Sequence, residues 1–212
     1  VVGTTLTPGF ALRVARGIAT TLPAGSRVAL GWDGRTSSPA LARLVGATLA
    51  LCGHRVLDLG LLATPAFQYS VPRTGADLGV MITASHNPRD FNGIKCIASD
   101  GLEIPRSWEE AIEEAAVHLP ASTPGYDQIG SIEVSTEAAG RYIEGILERV
   151  DAEAIRKRRF TVVLDCGNGA SIPTSPELLR RLGCRVVTLN GHVDGTFPGH
   201  LSEPTEANVG DL

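Results

Sequence analysis

Residues 26–39 read SRVALGWDGRTSSP, and residues 160–171 read FTVVLDCGNGAS. Each is a short apolar run with β-branched residues that ends on an aspartate, Asp33 or Asp165, and then breaks into glycine and serine. A short apolar run that ends at a polar turn reads as a strand. The Asp, Gly and Ser beyond it supply turn chemistry. After the first turn the sequence predicts a helix, with Ser38 as its N-cap, Pro39 at its first position and Gly53 just past its end. The next segments also correspond: LCGHRVLDLG at 51–60 and RLGCRVVTLN at 181–190 are each a helix end closed by glycine and leading into another strand. One plan occurs twice, which predicts two related α/β units.

Working outward, Pro65–Tyr69 begins a short helix, and Asp77–Thr83 and Gly93–Ala98 read as strands. Ser107–Leu119 reads as an amphipathic helix, with Trp108, Ile112, Ala115 or Ala116 and Leu119 on one face. Residues 120–131, rich in proline, glycine and polar side chains, mark a loop and a domain edge. The expected domains are therefore 1–130 and 131–212. A helix over about Thr136–Val150 leads into the basic stretch RKRRF, read as a solvated helix end. The tail from Gly195 is proline-rich and extended, with a helix expected to begin near Thr205, so the chain reads as truncated. Strands alternating with helices predict sheets covered by helices on both faces.

Bulk properties narrow the function. The 212 residues are 43% hydrophobic and 20% charged, an ordinary globular composition. A net charge of −4 and a pI near 5.7 argue against nucleic acid as the main partner. No run approaches the ~18 apolar residues of a membrane helix, and the first residues lack the basic start and apolar core of a secretory signal. Cys52, Cys96, Cys166 and Cys184 show no metal-type spacing and read as reduced thiols of a cytoplasmic protein. His54, His118, His192 and His200 show no ligand spacing and read as surface or loop residues.

The chemistry concentrates in residues 79–101, GVMITASHNPRDFNGIKCIASDG. A buried strand delivers a polar loop, and loops at strand ends are where α/β proteins place function. Ser85 is a hydroxyl nucleophile; His86 and Lys95 are candidate proton shuttles, Lys95 provided that a hairpin folds it back toward Ser85. On the residues alone, an Asn-Pro turn with a capping serine remains open.

The hexapeptide TASHNP at 83–88, followed by NGIK at 92–95, resembles the active-site signature of the α-D-phosphohexomutase family. GWDGRTS at 31–37, LDCGNGA at 164–170, Phe197-Pro198-Gly199 and Glu203-Pro204 resemble further family segments in the same order. The resemblance covers essentially the whole chain as domains one and two of four. It implies two related three-layer α/β/α domains with mixed sheets, the first part of a four-domain enzyme.

By position, Ser85 resembles the phosphoserine that donates and recovers a phosphoryl group and helps bind Mg²⁺. His86 and Lys95 resemble its acid–base neighbours. Arg35 resembles a first-domain arginine near the site, with a structural tie to Asp33 as the alternative. Asp165 and Asn168 read as turn-forming. The implied activity interconverts hexose 1- and 6-phosphates through a hexose 1,6-bisphosphate, which also serves as activator. The family's arginine loop, its three-aspartate Mg²⁺ loop, its sugar-recognition loop and its phosphate-clamping domain are absent from these residues. The aspartates are expected from a third domain, so the piece alone is expected to be inactive. A bisphosphate phosphatase or synthase on the same serine, and a non-catalytic sugar-phosphate-binding module, are the alternatives.

Overall fold

The computed structural model describes residues 1–118 and 124–212; the expected helix position Leu119 and the start of the 120–131 loop lie outside them. In chain order the elements are α1 (Pro8–Thr21), β1 (Arg27–Trp32), α2 (Ser38–Leu51), β2 (Arg55–Leu61), α3 (Thr64–Ser70), β3 (Leu78–Ile82), β4 (Ile94–Ala98) and α4 (Arg106–Val117). They continue with β5 (Ile132–Val134), α5 (Ala138–Leu147), α6 (Ala152–Arg158), β6 (Thr161–Asp165), α7 (Ser175–Arg181) and β7 (Arg185–Leu189).

Strands β1 to β5 form one mixed sheet in the order β4-β3-β1-β2-β5, parallel throughout except for β4. The apolar runs of β1 and β3 are explained by burial on both faces, whereas β6, apolar in the same way, has no fully buried residue and leaves Val163 47% exposed. Val28 and Leu30 of β1 point into a core shared with α1, α2 and α4, while Ala29 between them points into a second core built on α3. The first domain is thus three layers. Phe67 of α3 sits against β1 and β3 where both carry glycine: a Cβ on Gly31 would lie 2.6 Å from the Phe67 ring, and one on Gly79 would lie 2.9 Å from it. Two missing methyl groups make the slot that brings α3 down onto the sheet.

Several expectations need correction. Ser37, not Ser38, is the N-cap of α2; Ser38 is already helical, and its hydroxyl is committed to Asp33. The helix expected over Thr136–Val150 is α5, Ala138–Leu147; what was not expected is a second helix, α6, beyond it, where the Asp151 side chain accepts from Ala154 N at 2.9 Å and caps a fresh start. Strand β5, an element the sequence did not announce, pairs in parallel with β2 and completes the first sheet. No helix begins near Thr205; a hydrogen-bonded turn runs from Thr205 to Asn208 instead. His54 is buried rather than on the surface, with Nε2 3.0 Å from the Ala19 carbonyl.

In the second unit β6 and β7 pair in parallel, from Thr161 opposite Arg185 to Asp165 opposite Leu189, with α7 as the crossover. The two units meet closely. A Cβ on Gly195 would lie 2.0 Å from Thr36 N, so the loop after β7 rests directly on the turn after β1.

Candidate active site

Strand β1 is central, with β2 on one side and β3 on the other, so the chain leaves it in both directions. Such a switch point opens a crevice at the carboxyl ends of β1 and β3, where α/β folds bind ligands. Those ends carry Asp33 and Thr83, and two residues beyond Thr83 comes Ser85.

Asp33 is the hub. Its carboxylate accepts from Arg35 N (3.1 Å), Arg35 Nε (3.1 Å), the Ser38 hydroxyl (2.5 Å) and the Thr83 hydroxyl (2.8 Å). Thr83 Oγ1 in turn accepts from Ser85 N at 3.0 Å. Asn92, at the far end of the loop, donates to the hydroxyls of Ser37 and Ser38, both at 2.8 Å. Arg35 is 1% exposed. Besides its Nε bond, Nη1 donates to Pro88 O (2.6 Å) and Phe91 O (3.0 Å), and Nη2 to Ser85 O (2.9 Å) and Asn87 O (2.7 Å). A guanidinium has five N–H donors; all five are used, four of them on the main chain of one loop. Arg35 therefore makes the tie to Asp33 that the sequence offered as the alternative, and it also moulds the serine loop, a role the sequence did not suggest.

Within that mould Ser85 is exposed and adopts a left-handed backbone, φ 54°. Its Oγ lies 3.3 Å from His86 Nδ1, and His86 Nε2 lies 3.7 Å from Glu203 Oε2. Lys95 is placed differently from expectation. On the sheet's edge strand, opposite Met81, it gives its ammonium to Glu103 Oε1 at 2.6 Å and lines a separate groove with Phe10, Cys96 and Ile112. The hairpin does form, but the side chain is held at Glu103. Both partners are substantially exposed, and such pairs contribute about 0–1 kcal/mol, so the contact is readily exchanged.

The second unit closes the crevice. A cavity of about 260 Å³ is lined by Thr83, Ser85, Gly167, Ser171, Phe197 and His200, among others. Asp165 and Asn168 hold their turn as the sequence predicts. Asp165 Oδ1 accepts from Gly167 N at 2.8 Å, and Asn168 Nδ2 donates to His192 O at 3.0 Å. His200 is not a surface residue: its Nε2 is 3.2 Å from Asp165 Oδ2, and its Nδ1 is 2.6 Å from Leu201 O. Both ring nitrogens thus face acceptors. The Leu201 carbonyl foremost, then Asp165, raises the imidazole pKa against the opposing effect of burial. Burial works against the Asp165 carboxylate, but the Asn190 amide, Gly167 N–H and His200 outweigh it and lower that pKa. Phe197 lay in a family segment without an assigned role, and no motif pointed to His200 or Ser202, because their roles depend on a contact between the two units.

Mg²⁺ takes about six oxygen ligands in near-octahedral geometry. Ser85 offers one oxygen, and Asp33, which lines the same cavity, already accepts four hydrogen bonds. Among the described residues there is no group of three or more His, Cys, Asp or Glu side chains suited to a metal ion. These residues do not by themselves fit a Mg²⁺ site.

A doubly covered sheet with a presented serine at its switch point, followed by a second α/β unit, defines a class of α/β chains in which two units share one crevice. Residues 1–120 match the family described as phosphoglucomutase/phosphomannomutase, alpha/beta/alpha domain I, and residues 140–212 match domain II of the same family. Similar proteins include a phosphoglucomutase/phosphomannomutase of Thermococcus kodakarensis, 39% identical over 96% of this chain and 45% of its own length. A phosphoglucosamine/phosphogalactosamine mutase of Sulfurisphaera tokodaii is 37% identical over 97% of this chain and 45% of its own length. The solved structure of a phosphoglucomutase/phosphomannomutase family protein from Burkholderia thailandensis superposes with a TM-score of 0.79 at 28% identity, covering 94% of this chain and 43% of that one. The chain belongs to the α-D-phosphohexomutase family, as its first two domains. It spans about half the length of the curated relatives it matches.

Proposed function

We propose that the protein containing this chain is a phosphohexomutase that interconverts hexose 1-phosphate and hexose 6-phosphate through phospho-Ser85. The observation that carries the reading is the exposed Ser85 hydroxyl, held at the switch point by a loop whose carbonyls Arg35 fixes. The family membership and the relatives' names support it.

In the forward half-reaction the bond between the phosphorus and Ser85 Oγ breaks, and a bond from phosphorus to the free O1 or O6 hydroxyl of the sugar forms. That hydroxyl loses its proton, and the product is a hexose 1,6-bisphosphate. The reverse transfer of the other phosphate restores phospho-Ser85. His86, 3.3 Å from Ser85 Oγ, is placed to take and return the proton. Lys95 could join only by leaving Glu103. Mg²⁺, with carboxylates from outside these residues, would neutralise charge on the transferring group, and hexose 1,6-bisphosphate would act as activator by rephosphorylating Ser85. The four free cysteines suit a reducing compartment such as the cytoplasm.

The test is a coupled mutase assay on the full-length protein with Mg²⁺, hexose 1,6-bisphosphate and glucose, mannose and glucosamine 1-phosphates in turn. Turnover should fall by at least about a thousandfold in Ser85→Ala, since the covalent acceptor is gone. Turnover indifferent to Ser85 would sink the reading. Free phosphate from the bisphosphate alone, without isomerisation, would make the protein a phosphatase on the same serine.

A further inference from the structure

The stretch Thr196–Glu203 crosses from the second unit over the serine loop. It is anchored in its own domain by Gly199 N on Asn168 Oδ1 (3.3 Å) and by His200 against Asp165 (3.2 Å). It meets the first domain at several points. Arg89 Nη1 donates to Thr196 O at 3.3 Å, and the Phe197 ring lies 5.5 Å from the Arg35 guanidinium carbon. The Ser202 hydroxyl reaches both His86 O (2.7 Å) and Asn87 O (3.0 Å). Asn87 O is also an acceptor for Arg35 Nη2, so this carbonyl is held from the buried side by Arg35 and from the outer side by Ser202.

We propose that Ser202 is a positioning residue for the transfer at Ser85: by fixing the His86 and Asn87 carbonyls, it sets the backbone that aims the His86 ring at Ser85 Oγ. The inference rests on the mutase reading. Arg35 alone leaves this stretch under-determined, because it binds the carbonyls on either side of His86 but not His86 O itself. His86 is 65% exposed at its side chain, so packing does little to orient it. The strap supplies the missing constraint from a residue 116 positions away. Losing it should disturb the geometry of transfer, not the affinity for sugar.

The experiment compares wild type, Ser202→Ala, Ser202→Thr and Ser85→Ala in the full-length protein. Ser202→Ala should lower kcat by about five- to tenfold with KM within about twofold, and Ser202→Thr, which keeps the hydroxyl, should recover most of the loss. The thermal midpoint of Ser202→Ala should stay within about 2 °C of wild type, as expected for the loss of one hydroxyl shared between two solvent-accessible carbonyls. An unchanged kcat in Ser202→Ala, a loss carried by KM, a loss that threonine does not restore, or a kcat loss matched by a large drop in midpoint overturns the assignment. If Ser85→Ala keeps its turnover, the mutase reading falls and takes this inference with it. Ser85-dependent turnover that ignores Ser202 sinks the inference alone.

Discussion

Arg35 commits its whole donor set to one carboxylate and four carbonyls. Lysine at this position would keep the charge but offer three donors instead of five, without the planar fork. Arg35→Lys should leave at least one buried loop carbonyl without a partner and destabilise the protein by about 1–3 kcal/mol. Urea unfolding would show this as a lower midpoint at unchanged slope, and the proposed mutase turnover of the full-length protein should fall with it. A variant as stable as wild type would mean that the loop holds its shape without the clamp. The sequence named Arg35 and its tie to Asp33 but not its hold on the serine loop, because the acceptors there are main-chain carbonyls 50 to 56 residues away. Ser85 and His86 were legible from a local motif and lie together. Lys95 was legible as a residue but not as a position: nothing in NGIK announces that Glu103, eight residues on, holds its ammonium.

Among the elements, α3 shows how packing rests on what is missing. A Cβ on Gly79 would come within 2.6 Å of Val71 Cγ2 and 2.9 Å of the Phe67 ring. Gly79→Ala should therefore destabilise by about 1–3 kcal/mol through overpacking, and Phe67→Leu in the same chain should recover part of it by vacating the slot. Thermal unfolding of the single and double variants checks the coupling; strictly additive effects would contradict it. Strands β1 and β3 were readable because burial on both faces leaves an unbroken apolar run. Strand β5 was not readable, since its three residues are all exposed at a sheet edge and the Ile-Glu-Val alternation is too short to stand out. Helix α1 was not foreseen from the sequence, although Thr7 and Pro8 form an ordinary N-terminal signal.

For the whole molecule, two histidines pull stability in opposite directions with pH. His54 is 2% exposed, and burial, only partly opposed by the Ala19 carbonyl and Asp77, lowers its pKa. Its neutral form belongs to the fold, so its contribution is lost as pH falls from the unfolded value of about 6.5 toward the folded one. His200 has a raised pKa, with Leu201 O, Asp165 and Asp211 all favouring its charge. Its contribution is complete below about 6.5 and is lost as pH rises through the folded value. Thermal midpoints of the full-length protein from about pH 5 to 9 should show a shallower alkaline decline in His200→Gln and an unaltered acid decline. Parallel curves for variant and wild type would remove His200 from the account. Finally, the handedness of the loop bears on how the protein is handled as a reagent. An L-residue at φ 54° is disfavoured by about 1–2 kcal/mol, whereas glycine takes that conformation freely. Alanine at position 85 would therefore remove the hydroxyl yet keep the backbone penalty. Glycine would relieve the penalty while remaining just as inert. On the mutase reading proposed above, Ser85→Gly is thus the silent form best suited to trapping a bound sugar bisphosphate, since its loop carries no left-handed penalty.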